Sequence, residues 1–360
     1  MYNLNNINSF SANVDEIFHL IETSKKILIV THENPEGDAI SSVMSIGMFL
    51  KSLDKEIYLY DKDPIPLNLR FLPWSKEFSQ KFPAEPIDLL IVVDCGELQR
   101  VGDGYENLLT INRIINIDHH FTNNNFGHAN LVIPDASSTG EVLFYLFAAY
   151  GAKENNIEYK IGDELPCKTE ERQKVLSKIN KDIAICLYAS ILTDTGSFRY
   201  ASATKNAFYI ASVLNQYDIN PAKIAEEIYE TKPQEQYRLL AKSLATLELV
   251  QDGKIASMIG SKQMLNEVFE NNENQQKGMA LFENFVNYPR SINGVEIAIF
   301  FKEASFNEYR LSFRAKSYAN VAKVAEKYGG GGHKFAAGCK VSGDLNNIKK
   351  DIYEYCREVL

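Results

Sequence analysis

The stretch KKILIVTHENPEGDAISS, residues 25–42, joins an apolar run to a turn and then to a segment that favours a helix. ILIV contains no polar residue, which is typical of a strand buried on both faces of a parallel sheet. The turn contains Pro35 and Gly37, and the segment after it is rich in small and apolar residues. A strand, a turn and a helix in this order predict the first unit of an α/β fold.

Similar apolar runs recur along the first half of the chain. EIYLY, LLIVV and IINI are predicted as further strands, at residues 56–60, 89–93 and 114–117. STGEVLFYLFAAYG and DIAICLYASIL, at residues 138–151 and 182–192, are predicted as helices. Apolar strands that alternate with helices indicate a parallel sheet with helices on both faces.

The pattern changes after about residue 215, and the length of 360 residues is more than one core usually supports. Residues 227–250 are predicted as a charged helix, and VEIAIFFKE and EYRLSFRAK as two strands paired through ASFN. VAKVAEKYGGGGH is predicted as a helix that runs into a glycine loop. We therefore expect a domain at 1–215, a helical linker at 216–234 and a smaller α/β domain at 235–360, with a cleft between the two domains.

Composition excludes several classes of protein. The chain is 45% hydrophobic and 24% charged, and it has no apolar run near the roughly 18 residues of a membrane span. The N-terminal sequence is polar, so we expect neither a signal peptide nor a membrane partner. The five cysteines are scattered and lack CxxC spacing, which favours a reducing cytoplasm over a disulfide framework or a zinc ribbon.

Charge is distributed unevenly around a net value of −9. Residues 310–340 contain seven Lys or Arg side chains and one Glu, a local excess of +6. Such a basic segment suits a phosphate-bearing substrate, although an ordinary solvated helix face has the same composition. The overall negative charge argues against tight binding of long nucleic acid.

Acidic and imidazole side chains follow the apolar runs, where the carboxyl ends of parallel strands meet. They are His32, Glu36 and Asp38 after ILIV, Asp94 after LLIVV, Asp118, His119 and His120 after IINI, and Asp194 after a helix. Singly, these residues are also typical of helix caps, turns and structural histidines. Together they indicate a dinuclear metal site.

The donor set restricts which metal fits. Imidazoles mixed with carboxylates, without thiolates, favour a borderline-hard divalent ion over structural zinc. Mn²⁺ fits best, and Mg²⁺ and Co²⁺ are alternatives. Two such ions about 3.5–4 Å apart can hold a phosphoryl oxygen and lower the pKa of a bound water.

Four motifs occur in a recognisable order: HxxPxxD, VVD, DHH and TDTGSFRY, followed by SFRAK and GGGGHKFAAG. In this order they resemble the DHH phosphoesterase family together with its DHH-associated domain, and the resemblance spans nearly the whole chain. Size and domain pairing are similar to the nano-RNA phosphoesterases of the family. The resemblance implies hydrolysis of very short oligoribonucleotides or dinucleotides, with dephosphorylation of 3′-phosphoadenosine 5′-phosphate as a second activity in some members.

The resemblance also implies roles for individual residues. It assigns one ion to His32, Glu36 and Asp94, and the other to Asp38, Asp94, His119 and Asp194. His120 would contact the scissile phosphate, braced by Asp118. Substrate binding is assigned to Arg314, Gly330, Gly331, Gly332 and His333, and Arg199 is a further candidate for a phosphate contact. The chain has PEGD where the family usually has PDxD, so Glu36 is one methylene longer than the expected aspartate.

Alternatives stay open for several of these features. The glycine run lacks the GK[ST] of a Walker loop, which excludes that mode of nucleotide binding, but a plain flexible turn fits the run as well. Arg199 is equally well explained by a structural salt bridge. A non-catalytic nucleotide-binding or sensing protein and an inorganic pyrophosphatase-like hydrolase are the competing functions. Homodimer formation is also left open.

Overall fold

The computed structural model describes residues 7–102, 105–269 and 278–360. It divides into two compact units, Met1–Thr231 and Lys232–Leu360. Among the described residues, no helix has the length and apolar character that a membrane crossing needs.

Six parallel strands form the sheet of the first unit. They are β1 (Lys26–Val30), β2 (Glu56–Tyr60), β3 (Phe78–Ser79), β4 (Leu89–Val93), β5 (Ile114–Asp118) and β6 (Ala129–Val132). Their order across the sheet is β3-β2-β1-β4-β5-β6. The chain therefore runs outward from β1 to β3 and returns to β4 on the other side of β1. Ligands of open α/β sheets bind beyond the strand ends at such a switch point, here between β1 and β4.

The α/β fold predicted from the apolar runs is confirmed. The helices of the first unit are α1 (Ile7–Thr23), α2 (Gly37–Lys51), α3 (Tyr105–Leu108), α4 (Thr139–Glu154), α5 (Thr169–Val175), α6 (Lys181–Asp194), α7 (Lys205–Leu214) and α8 (Pro221–Tyr229). Short 3₁₀ turns lie at Leu67–Leu69, Ser75–Glu77, Leu98–Val101 and Asn215–Tyr217. Strands β4 and β5 are buried along their whole length, which explains why their sequences lack the alternation of a half-exposed strand.

Two glycines let α2, α4 and α6 pack closely. A Cβ at Gly37, the first residue of α2, would lie 2.4 Å from a methyl carbon of Thr193 in α6. A Cβ at Gly140, in the first turn of α4, would lie 2.0 Å from the hydroxyl oxygen of Ser190, which is also in α6. Only glycine permits these approaches, so the N-termini of α2 and α4 come together beside α6.

The second unit has its own six-stranded sheet. Its strands are β7 (Glu248–Val250), β8 (Ile255–Gly260), β9 (Ile297–Ser305), β10 (Glu308–Ala315), β11 (Gly331–His333) and β12 (Ala336–Ser342), in the order β11-β12-β10-β9-β8-β7. All described pairs are antiparallel except β8 with β9. Its helices are α9 (Gln234–Leu244), α10 (Lys262–Val268), α11 (Asn287–Ser291), α12 (Val321–Glu326) and α13 (Leu345–Glu358), and a 3₁₀ turn lies at Met279–Phe282.

Two predictions for this unit are wrong in detail. The helix predicted over residues 227–250 is interrupted before Pro233, because proline lacks an N–H and disfavours helical backbone in the residue before it. The last three residues of that stretch form β7 instead. The glycine run is not a loop throughout, since Gly331–His333 pairs with β12.

Candidate metal centre

The predicted ligands of the first unit lie at the carboxyl edge of its sheet. His32 follows β1 by two residues, Asp94 follows β4 directly, and His119 follows the end of β5. Asp38 is in the first turn of α2, and Asp194 is the last residue of α6. Asp94 has a left-handed backbone with φ of 54°, which turns the chain sharply where the strand ends.

His119 is the centre of a cluster of carboxylates. Its Nε2 lies 3.6 Å from Asp38 Oδ2, 3.7 Å from Asp94 Oδ1 and 3.6 Å from Asp194 Oδ2. Donor atoms about 2.1 Å from a shared cation are separated by roughly 3–3.5 Å, so these distances are close to those of a ligand shell. Asp38, His119 and Asp194 form one group able to hold a metal, and Asp94, His119 and His120 form another.

Asp94 faces two imidazoles with its two oxygens. Oδ1 is the oxygen near His119, while Oδ2 lies 3.7 Å from His32 Nε2. The Asp94 side chain is almost fully buried, and each of its two oxygens is near a different imidazole. This is the arrangement that a carboxylate shared between two ions requires.

In His32 and His119, a hydrogen bond made by one ring nitrogen determines which nitrogen is available to a metal ion. His119 Nδ1 lies 3.1 Å from the carbonyl oxygen of Ala136, and His32 Nδ1 lies 2.9 Å from that of Glu33. A carbonyl only accepts, so each Nδ1 donates, and each Nε2, which faces the carboxylates, is the ring nitrogen available to a metal ion. Such backbone contacts orient metal-binding histidines.

His120 is held differently from His119. Its Nδ1 donates to Asp118 Oδ1 at 2.7 Å, and Nδ1 also lies 3.7 Å from Asp94 Oδ1. Asp118 is fully buried and accepts further hydrogen bonds from the His119 main-chain N–H and from Asn123 Nδ2. Burial raises the pKa of Asp118, but its hydrogen bond and charge interaction with His120 outweigh burial and hold the pKa below its usual range. Asp118 therefore stays ionised and orients the His120 ring.

The N-terminus of α4 supports the cluster, and the sequence did not reveal this. Asp38 Oδ2 accepts the main-chain N–H of Thr139 at 2.8 Å, and Asp38 Oδ1 accepts the hydroxyl of Ser190 at 2.5 Å. The Thr139 hydroxyl donates to Asp94 Oδ1 at 2.9 Å. Ser138 caps α4 by accepting the Glu141 N–H, so the sequence SSTGE predicts the start of a helix. It does not predict the contacts with Asp94 and Asp38, which lie about 45 and 100 positions earlier in the chain.

Electrostatics in the cluster favour a bound cation. Burial and the charge of Asp94 raise the pKa of Asp38 well above its usual range. Burial would also raise the pKa of Asp94, but hydrogen bonding and charge from His32 and the other imidazoles hold it below its usual range. Burial lowers the pKa of His119, while Asp194, Asp38 and Asp94 together raise it to about 9. Carboxylates crowded in this way need positive charge, and the residues present fit a divalent ion.

Glu36 lies outside both groups of ligand atoms found in the described structure. It is exposed and occupies the N-cap position of α2 without a side-chain capping hydrogen bond. Its charge does act on the cluster: burial and then Asp94 and Glu36 raise the pKa of Asp194. Glu36 is therefore close enough to act on the centre through its charge, but it belongs to neither ligand group.

The predicted substrate residues are divided between the units. In the first unit, Arg199 is exposed in the turn after α6, and its Nε donates to Gly196 O at 2.6 Å. In the second unit, Arg314 in β10 pairs with Ala336 of β12, which pairs with His333 of β11. The backbones of Arg314 and His333 thus flank Ala336 in one row of the sheet. The side chain of His333 lies outside the described part of the structure.

The structural feature that favours glycine differs from position to position in the GGGGH run. Gly329 has φ of 70° just after α12, and Gly332 has φ of 139°. A Cβ at Gly330 would lie 2.1 Å from the carbonyl oxygen of Gly338. Gly331 differs from the other three, because a Cβ there would have no neighbour within 4 Å and its φ is not left-handed. Close packing or a positive φ explains three of the glycines, and neither explains Gly331.

Comparison with known proteins gives consistent matches over both units. The family model for "DHH family, N-terminal domain" matches residues 26–191, and that for "DHHA1 domain" matches residues 267–358. The chain is 30% identical, over 93% of its length and 90% of the relative's, to the bifunctional oligoribonuclease and PAP phosphatase NrnA of Thermus thermophilus. A probable NrnA of Streptococcus mutans is 27% identical, over 94% of this chain and 96% of the relative. The structure of an exopolyphosphatase-related protein from Bacteroides fragilis matches with a TM-score of 0.81 and 26% identity, over 97% of this chain and 96% of that one.

Proposed function

The chain belongs to the DHH family, as its motifs predicted, and from that premise we propose that it hydrolyses phosphodiester bonds in very short oligoribonucleotides and dinucleotides. Dephosphorylation of 3′-phosphoadenosine 5′-phosphate is the second activity we propose, since relatives over most of the chain carry both activities in their names. The observation that carries the proposal is Asp94, whose two oxygens face His119 and His32 in a buried cluster of carboxylates.

We assign two divalent ions, Mn²⁺ by preference, to this cluster. His32, Glu36 and Asp94 would hold one ion, and Asp38, Asp94, His119 and Asp194 the other. When bound, such ions polarise a phosphoryl oxygen and lower the pKa of a water. Buried Asp38 is kept in place by Thr139 and Ser190, so the donors need little rearrangement on binding.

His120 has a separate role at the scissile phosphate. Because Asp118 accepts the Nδ1 hydrogen, the opposite nitrogen of the ring is the one directed to substrate. In its cationic form the ring can donate from that nitrogen to a phosphate oxygen or to the leaving oxygen. We therefore propose that His120 acts on substrate and is not needed to hold metal.

Substrate capture is assigned to the second unit and to Arg199. The basic segment at 310–340 contains Arg314, and β11 contains Gly331, where no packing contact demands glycine. Backbone N–H groups of a glycine run can approach a phosphate closely, which a side chain would prevent.

The five described cysteines are free thiols, consistent with action in a reducing cytoplasm.

A second candidate function rests on Glu36. If Glu36, which is exposed and outside both ligand groups, does not reach the ion, the site assigned to His32 has one donor fewer than in the family pattern. A protein that binds nucleotides without turnover, for sensing, would tolerate such a loss.

A substrate panel separates these functions. Purified chain is assayed on diribonucleotides, 3′-phosphoadenosine 5′-phosphate, a long RNA and inorganic pyrophosphate, each with Mn²⁺, Mg²⁺ and Co²⁺. We expect Mn²⁺-dependent cleavage of dinucleotides, little cleavage of long RNA, and reduced turnover with normal metal content in His120→Ala. Metal-dependent binding without turnover would favour the sensing function, and turnover of pyrophosphate alone would favour a pyrophosphatase.

A further inference from the structure

Phe121 is the residue directly after His120, and its side chain is 82% exposed. The turn that carries it is well fixed. The Asn123 main-chain N–H donates to His120 O at 3.1 Å, and the Asn124 N–H donates to Gly96 O at 3.1 Å. Phe121 is therefore presented to solvent by an ordered turn.

The turn is tied to the metal centre through Asn123. The Asn123 side chain donates to Asp118 Oδ2 at 2.6 Å and to Asn116 Oδ1 at 2.8 Å. Consecutive Cα atoms are about 3.8 Å apart, so the Phe121 ring starts one residue from the proposed phosphate-contacting imidazole. The base of a nucleotide lies several ångströms from its phosphate, so a nucleotide whose phosphate contacts His120 is long enough to reach this turn with its base.

The surroundings of Phe121 suit a nucleobase better than a protein surface. Thr122, Asn124 and Asn125 are exposed, so the exposed neighbours of the ring along this turn are polar. Protein interfaces are marked by contiguous apolar patches, which a single ring does not provide. A base offers a flat face to the ring and polar edges to the hydroxyl and amides, and stacking of this kind is tolerant of base identity.

We propose that Phe121 is a stacking platform for the base of the nucleotide whose phosphate occupies the metal centre. This inference rests on the proposed function, because it requires a nucleotide phosphate beside His120. It assigns to the first unit a base contact that none of its metal ligands can make. Phe121 then contributes to affinity for nucleotides and not to metal binding.

The test compares a ligand that has a base with one that lacks it. Binding of adenosine 5′-monophosphate and of ribose 5-phosphate is measured by calorimetry, with Mn²⁺ present, on the parent chain, Phe121→Ala and Phe121→Trp. We expect the parent to prefer the nucleotide about 5- to 100-fold, Phe121→Ala to lose that preference, and Phe121→Trp to keep it. Affinity for ribose 5-phosphate should stay the same in all three.

Phe306 supplies a matched control. It is 88% exposed in the turn between β9 and β10, at the end of β10 opposite to Arg314. Phe306→Ala removes an equally exposed ring and should keep the full nucleotide preference. A preference that survives in Phe121→Ala, or that is absent from the parent, would overturn the proposal. A parent that prefers the nucleotide through Phe121 but cleaves no dinucleotide would contradict the proposed function alone.

Discussion

Thr139 donates a hydrogen bond from its hydroxyl to Oδ1 of Asp94, at 2.9 Å, across the gap between α4 and the end of β4. The oxygen that accepts it is the one that faces His119. A residue outside the proposed ligand set thus orients the carboxylate that we propose to be shared by two ions.

Replacing this hydroxyl should weaken metal binding. Thr139→Val keeps the shape of the side chain and the main-chain N–H that Asp38 accepts, but it leaves Asp94 Oδ1 without its donor. Loss of such a supporting hydrogen bond typically lowers metal affinity about 10- to 100-fold. Thr139→Ser should bind Mn²⁺ like the parent in a direct titration. Equal Mn²⁺ affinity in the valine variant would show that the hydroxyl does not support Asp94.

Glu36 is the departure from the family pattern. We predict that Glu36→Ala lowers occupancy of the ion site assigned to His32, while the site centred on His119 stays filled. Glu36→Asp restores the usual side chain and should keep or raise turnover, because about 1 Å of misplacement can cost on the order of 10²-fold. Metal stoichiometry and dinucleotide turnover check both variants. If Glu36→Ala binds two ions and turns over dinucleotides like the parent, Glu36 is not a ligand and only occupies the N-cap position of α2.

The glycine run separates packing from substrate binding. Gly330→Ala would place a Cβ 2.1 Å from Gly338 O, so we expect destabilisation of about 1–3 kcal/mol in thermal unfolding. Gly331→Ala meets no neighbour within 4 Å and should fold normally, yet raise KM for dinucleotides. An unchanged KM in Gly331→Ala would remove that residue from the substrate site.

Glu296 should make the second unit sensitive to acid. Burial raises its pKa, but N–H donors of Ser317, Tyr318 and Ala319 outweigh burial and hold the pKa below its usual range. A carboxyl with a lowered folded pKa stabilises the fold fully above its unfolded pKa of about 4.3, and this stabilisation is lost as pH falls through the folded value. Glu296→Gln should cost about 1–3 kcal/mol at pH 7 and less at pH 3.

Denaturant unfolding at pH 7, 5 and 3 measures this difference. Glu326→Gln, at an exposed position in α12, is the control and should behave like the parent at each pH. A Glu296→Gln variant with the parent's stability at pH 7 would contradict the account.

The strand-end ligands could be predicted because each follows an uninterrupted apolar run, and parallel strands bring such ends to one edge. The hydrogen bonds from Thr139 and Ser190 to these ligands could not be predicted, because they depend on how closely α4 and α6 approach β1 and β4. Strands β6, β8 and β12 were missed for a local reason. Their sequences, ANLV, IASMIG and AAGCKVS, mix small and polar residues and lack the strong apolar signal of β4.

The proposed dinuclear centre depends most on Asp94 as a carboxylate shared by two ions, so Asp94→Ala with saturating Mn²⁺ tests it most directly. Bound Mn²⁺ per chain and dinucleotide turnover are measured on the same samples of parent and variant. We predict two ions per parent chain, fewer than two in the variant, and loss of nearly all turnover. A variant that binds two ions and retains more than about a few per cent of parental turnover would contradict a dinuclear centre built on Asp94.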